Sequence, residues 1–396
     1  MTAGVQPTTL RWALERAGLG PADAERAVPG AGRWLRGDGQ PELEELEALA
    51  SLTRTALPFL LGAAPPAEEL PIPDFRSANG RVPSRPSLEL LDTVYQCQNR
   101  QAWFQEHARR EGLEPVDWVA STTPDADPEE AAAALCTRLG VDDAARARWP
   151  DKAAAFRDLR ARVEAEGVLV MVNGVVGSHT GRSLRVEEFR GFALADPLAP
   201  LVFINGKDTD AGRSFTLFHE VAHLLLGESA VSDAPAKNPG AAAPAPASRP
   251  ARVEAWCNRV AAATLAPAAQ VAAAVGGGGD LLAGARALAR RLKVSTLVVL
   301  LRAIELDYVP AKTAWPLYRQ EADAVAAALA RRAEEPKGPG GGNFYDTTKS
   351  RLGARFARAV IRSARSGDTL YRDAHRLLGI AKESTFERLA AEVGAG

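Results

Sequence analysis

The sequence predicts an α+β fold, and three observations predict it. Apolar residues recur at helical spacing, with interruptions, from Leu10 to about Glu166. At Gly167 the period shortens: VLVMVNG reads as a buried strand, and GFALADPLAPLVFING supplies two more, Gly191 to Leu194 and Leu201 to Ile204. Helical spacing then returns in FTLFHEVAHLLLG, residues 215–227. Helices, a small sheet and a long apolar helix, with further helices on both flanks, make an α+β arrangement.

Size and composition allow this. The chain has 396 residues, 46% hydrophobic and 24% charged, enough for two or three domains and a sizeable core. Its formal charge of -1 gives no global field drawing it onto nucleic acid or anionic membrane, so any such binding must be local. Cys97, Cys136 and Cys257 are odd in number, far apart and without a C-x-x-C pair, which argues against a disulfide framework and for a reducing cytosol. The amino terminus lacks a basic patch followed by an apolar run, and no stretch approaches the length of a membrane span. The expectation is a soluble, cytoplasmic protein with no membrane association.

Residues 1–62 read as a small helical bundle, with helices in TTLRWALERAG, GPADAERAV, GRWLRG and PELEELEALASLTR. The order and punctuation of residues 8–61 resemble the helix-turn-helix of Xre-type regulators, with Gly30 to Leu35 as the reading helix. Residues 1–62 hold six Arg, no Lys and eight acids, however, whereas phosphate binding needs a basic face. A bundle used for protein contacts is the alternative. Residues 63–86, with six prolines, form a connector in which Leu70, Ile72 and Phe75 are candidates for docking. Helices resume from Ser87 to Glu166, where His107 sits on a charged face and reads as exposed.

Beyond the apolar helix, residues 228–250 are rich in Ala and Pro and read as a loop or lid. Further helices follow over 251–267 and in LLAGARALARRLKVSTLVVLLRAIEL, whose turn at KVSTL has Ser295 as a cap and reads as plain packing rather than a second helix-turn-helix. Residues 311–342 are a helix and a Gly-rich linker. The tail, 343–396, carries ten Lys+Arg against six Asp+Glu, with Arg351, Arg355, Arg358, Arg362 and Arg365 at helical spacing. Such a stripe is either a nucleic-acid surface or a solvated helix face, and the second reading is preferred.

The chemistry concentrates in residues 219–223. His219, Glu220 and His223 follow the pattern H-E-x-x-H, so on a helix the two imidazoles project from one face, one turn apart, toward a single metal ion. Glu220 projects beside them as a general base. With only five histidines, this composition yields the pattern by chance roughly half a percent of the time, so accident explains it poorly. A catalytic zinc site needs a third protein ligand. Glu254 opens the next helix and so has a rigid mount, with Asn258 on the same face to orient a carboxylate. Glu228, Asp233 and His375 are weaker alternatives, and Cys257 reads as a small buried thiol. His179 and Tyr308 are candidates for stabilising an oxyanion.

The runs RGFALADPLAPLVFING, FTLFHEVAHLLLG and VEAWCNRVAAATLAP resemble the ImmA/IrrE family of zinc metallopeptidases over most of residues 166–270. The resemblance implies a zincin-like metallopeptidase core within 87–310, Zn2+ held by His219, His223 and Glu254, and Glu220 as the base. It further implies cleavage of a protein substrate, typically a DNA-binding repressor, in stress response, mobile-element control or phage defence. An Xre-type regulator or antitoxin with a structural or sensory zinc is the competing reading. A third is an adaptor whose peptidase site is held latent by the amino-terminal bundle or the 228–250 loop.

Overall fold

Two compact units account for the chain in the computed structural model, which describes residues 4–66, 69–74, 85–232, 248–276, 279–334 and 344–394. The first unit takes in the described residues up to Pro71 and those from residue 85 to Val94; the second takes in Ile72 to Asp74 and the described residues from Tyr95 onward.

In the first unit, proline at the first helical position starts α1 (Pro7–Arg16) and α2 (Pro21–Ala27), where its missing N–H costs nothing. They are followed by α3 (Ala31–Arg36), α4 (Leu43–Thr53) and α5 (Leu57–Leu60). The apolar positions Leu10, Leu14, Trp34, Leu46, Leu49 and Leu60 meet in one core. The expected reading helix is α3, only six residues long. At its amino-terminal end the Glu25 carboxylate accepts the N–H groups of Gly30 (3.1 Å) and Gly32 (2.7 Å), and these bonds hold its pKa below the ordinary carboxylate value. A negative charge therefore occupies the helix end that a phosphate would approach.

The helix α6 (Leu88–Arg110) continues into the second unit, which then builds α7 (Pro128–Leu139), α8 (Asp143–Ala147) and α9 (Lys152–Ala165). Asp127, Asp142 and Asp151 cap the last three, each side chain accepting a backbone N–H of its own first turn. His107, expected to be exposed, is 9% exposed and stacks on Trp103 at 5.2 Å between ring centres. The aromatic four residues earlier lies on the same helical face and shelters it. Burial is the largest influence on its pKa, which is lowered.

The strands are β1 (Leu169–Asn173), β2 (Val175–Val176), β3 (His179–Ser183), β4 (Gly191–Leu194) and β5 (Leu201–Asn205). Next come α10 (Asp210–Leu226) and β6 (Ala230–Ser232). The main sheet runs β1-β5-β4-β6, with β1 parallel to β5 and the other pairs antiparallel, while β2 and β3 form a separate hairpin. Val170, Val172, Val202 and Ile204 face Leu217, Phe218 and Val221 of α10. Alternation along each strand sends Phe192 and Phe203 to the other face, where their rings stack at 4.9 Å. The 228–250 run was expected to be loop throughout; its first residues instead form β6, and 233–247 lie outside the described residues. So does Phe75, whereas Ile72 is buried.

Both sheet edges are covered. On β6, Val231 donates its N–H to Pro73 O at 3.0 Å, and Asp74 bridges Val231 in parallel. On β1, the Val170 carbonyl accepts from Arg160 Nη2 at 2.7 Å, and the same nitrogen reaches Ser350 O at 2.9 Å. Covered edges suppress unwanted strand pairing.

The remaining helices are α11 (Arg249–Leu265), α12 (Ala268–Val275), α13 (Leu281–Leu292), α14 (Thr296–Glu305) and α15 (Ala311–Glu334). The last four are α16 (Phe344–Leu352), α17 (Ala354–Arg365), α18 (Tyr371–Leu378) and α19 (Glu383–Glu392). At the KVSTL turn Ser295 caps α14, and Leu288, Leu292, Val299 and Leu300 all enter the main core. The arginine stripe is not one face. Gly353, at φ +80°, breaks the run between α16 and α17, and a Cβ there would lie 2.8 Å from Val170 O. Arg351 is buried and Arg355 covers the Phe104 ring at 5.6 Å, while Arg358, Arg362 and Arg365 are exposed.

Candidate metal centre

The central helix, α10, is fixed at both ends by local chemistry. Thr209 Oγ1 accepts the Gly212 N–H at 3.0 Å, and Gly227, in the left-handed conformation at φ 69°, ends it. Between them every residue from Thr216 to Leu224 is buried, including His219, Glu220 and His223. α11 packs against α10 and carries Glu254, which is 2% exposed.

Three donor groups converge. His219 Nε2 and His223 Nε2 are 3.2 Å apart, Glu254 Oε1 is 3.1 Å from His223 Nε2, and Glu254 Oε2 is 3.3 Å from His219 Nε2. Ligands at about 2.0–2.2 Å from one tetrahedral ion stand roughly 3.3–3.6 Å from one another. The spacing thus suits a small tetrahedral cation, and two imidazoles with one carboxylate form a borderline-soft donor set that suits zinc.

The electrostatics divide the two glutamates. Burial opposes the charged form of Glu254, but His219 and His223 outweigh it and hold the carboxyl down to about 2, the state a ligand needs. Burial pushes the Glu220 carboxyl up to about 8, with His219 pulling the other way. Its Oε1 is buried without a hydrogen-bond partner, the condition of a group reserved for a transient one. For His219, burial is likewise outweighed by Glu254, and the pKa is raised; Asn258, expected to orient the carboxylate, adds to this effect on the imidazole. In His223 burial prevails and lowers the pKa.

Two neighbours escaped sequence reasoning. Ser232, on the edge strand β6, places its Oγ 3.2 Å from His223 Nε2 and 3.5 Å from Glu220 Oε2. Its only sequence signal is a three-residue AVS stretch at the start of an Ala/Pro-rich run, too short to read as a strand. Gly191 is the other. A Cβ there would lie 2.9 Å from Glu220 Oε1, 2.6 Å from Thr216 Cγ2 and 2.8 Å from Phe203 O, so the absence of a side chain lets Glu220 sit against the sheet.

The alternative ligands lie elsewhere. Glu228 accepts from Arg249 at 2.6 Å, His375 faces Glu383 at 3.4 Å, and Asp233 is outside the described residues. Cys257 packs with Ala222, Val253 and Trp256, and burial raises its thiol well above the ordinary value. Among the described residues no hydrogen bond or ring contact joins the oxyanion candidates to the cluster: His179 lines a separate cavity and Tyr308 is 39% exposed beyond α14.

Among the described residues, no helix is long and apolar enough to cross a membrane. Searches among curated proteins and among solved structures give no match. Family models match two segments. Residues 352–392 match a domain of unknown function (DUF8813). Residues 166–303, which hold the sheet, α10, α11 and the whole donor cluster, match the peptidase M78 model, and over this segment the chain is similar to the IrrE N-terminal-like domain.

Proposed function

We propose that the chain is a zinc-dependent endopeptidase with a zincin-like core, acting in the cytoplasm on a regulatory protein, in the first instance a DNA-binding repressor, in stress response, mobile-element control or phage defence. The observation that carries this reading is the buried triangle of His219, His223 and Glu254, 3.1–3.3 Å on each side, with Glu220 beside it. Its position inside the segment similar to a peptidase domain supports it.

His219, His223 and Glu254 would hold a zinc ion, which when bound would supply Lewis acidity to the attacking water and the scissile carbonyl. The chain's own residues do the rest. Glu220 takes the proton of the attacking water and later delivers it to the leaving amine. A carboxyl whose burial favours the protonated form, yet which has His219 beside it, is suited to hold a proton between these two transfers. The β6 edge, where Ser232 stands and where Pro73 and Asp74 lie against Val231, offers main-chain groups that can hold an extended peptide next to the cluster once that segment leaves.

The test uses the full chain co-produced with candidate repressors encoded beside it. Glu220→Gln should retain zinc at wild-type stoichiometry while cleavage falls at least about a hundredfold. Glu254→Ala should lose the metal itself. Full cleavage by Glu220→Gln would overturn the assignment.

A further inference from the structure

Away from the metal centre, a cavity of about 960 Å³ opens between α6, the β2–β3 turn and α16 to α18. Two of its lining residues, Arg100 and Arg351, are 8% and 5% exposed. Arg100 donates through Nε to Leu377 O at 3.3 Å and through Nη1 to Met171 Sδ at 3.7 Å. Arg351 donates through Nη2 to Leu378 O at 3.1 Å and Gly379 O at 3.5 Å, and through Nη1 to Gly177 O at 3.5 Å. Its Nε is buried without a partner.

Every one of these acceptors is neutral. Elsewhere, buried Arg302 has Glu305 at 3.0 Å and Glu129, and half-buried Arg160 has Glu164 at 3.5 Å. Buried Arg146 also donates to neutral carbonyls, Thr264 O at 2.6 Å and Leu265 O at 3.3 Å, but stands alone there, whereas Arg100 and Arg351 line one cavity together. Leu377, Leu378 and Gly379 form the carboxy-terminal end of α18, whose dipole offers only about half a negative charge, against two whole positive ones. Burial and the nearby Arg100 together bring Arg351 down to about 10, so the two guanidinium groups oppose each other. Buried charge without a counter-charge is costly, and a bound anion relieves it.

The rim adds to the imbalance. Arg110 and Arg376 also line the cavity, against two acids, Asp368 and Asp373. Asp373 already stands 3.9 Å from both Arg372 and Arg376, and Asp368 accepts from Ser366 Oγ. The volume is at the upper end of the range for small-molecule sites, well beyond a lone oxyanion, and Trp103 contributes an aromatic wall.

We propose that this cavity binds a phosphorylated small molecule of nucleotide size, its phosphate oxygens taken by Arg100 and Arg351. The planar guanidinium fork matches phosphate geometry, and two forks in one site suit a polyphosphate. Because Arg100 stands on α6, Arg351 on α16 and the acceptors Leu377, Leu378 and Gly379 at the end of α18, the ligand links the carboxy-terminal helices to the core through this cavity.

Titration calorimetry of the full chain with adenosine triphosphate and with inorganic pyrophosphate tests this, independently of any peptidase activity. Saturable binding tighter than about 1 mM is expected for both, weakened about tenfold or more by Arg351→Gln. Arg376→Glu, at a side chain 84% exposed, should weaken binding without endangering the fold, and serves if Arg351→Gln does not fold. Arg290→Glu, exposed on α13 and outside the cavity, should bind as wild type does. No saturable binding of either probe, or equal binding by wild type and Arg376→Glu, would overturn the proposal.

Discussion

Gly191 sets how closely the sheet approaches Glu220, and its replacement is a sharp test of the site's packing. Gly191→Ala places a Cβ within 3 Å of Glu220 Oε1, Thr216 Cγ2 and Phe203 O. Overpacking of this kind costs about 1–3 kcal/mol, to be read from denaturant unfolding, and cleavage should fall with it as Glu220 is displaced. A stability unchanged to within about 0.5 kcal/mol would show that the neighbours yield freely. The cysteines test burial at the same scale. Burial pushes the Cys97 thiol up to about 12 and Cys257 well above its usual value, so at pH 8 neither supplies thiolate. Iodoacetamide should label both only on unfolding, and rapid labelling of the native chain would contradict their placement. What the sequence made legible here is the set of residues whose chemistry is rare: two histidines four apart and a glutamate on a capped helix. Ser232 and Gly191 were illegible because a serine or a glycine gains its meaning only from what the fold brings against it.

Among the elements, α10 illustrates why some boundaries can be read and others cannot. Gly227 ends it as a left-handed glycine should, and Thr209 starts it six residues before the apolar run that betrays the helix. The expected strands Gly191 to Leu194 and Leu201 to Ile204 coincide with β4 and β5 to within a residue, because both are continuous apolar runs buried on two faces. The hairpin β2–β3 and the strand β6 are short and weakly apolar, and only their partners define them. On α3, the Glu25 carboxylate at the amino-terminal end has a direct consequence. A gel shift of the full chain on its own upstream DNA should show no saturable, salt-dependent complex through this helix. A complex abolished by substitutions of Arg33 and Arg36 would establish the regulator reading instead. In α16 and α17 the arginine periodicity was visible but its inside and outside were not, since Gly353 turns the run and neutral carbonyls accept the buried Arg351.

At the scale of the whole molecule, charge balance, cysteine count and the order of helices and strands could be taken directly from the sequence, whereas nonlocal contacts could not. The cavity of Arg100 and Arg351 joins residues some 250 positions apart, and nothing local marks either as buried. The same holds for Pro73 and Asp74 on β6. That edge is the one beside the donor cluster, so a peptide arriving there contends with the Pro73–Asp74 segment already bridged to Val231. The contest is intramolecular: a tethered segment is presented at an effective concentration on the order of millimolar, and dilution of the protein does not weaken it. Occupancy by substrate is therefore set by the ratio of peptide concentration to that fixed value, and substrates scarcer than millimolar must compensate with side-chain contacts. Releasing the segment should act on KM and leave kcat unchanged. Ile72→Ser, which removes its buried anchor, should lower the KM for a peptide substrate, and an unaltered KM would show that substrate does not use this edge. The connector is in this sense a resident competitor, one whose dose is fixed by the length of the chain rather than by the cell.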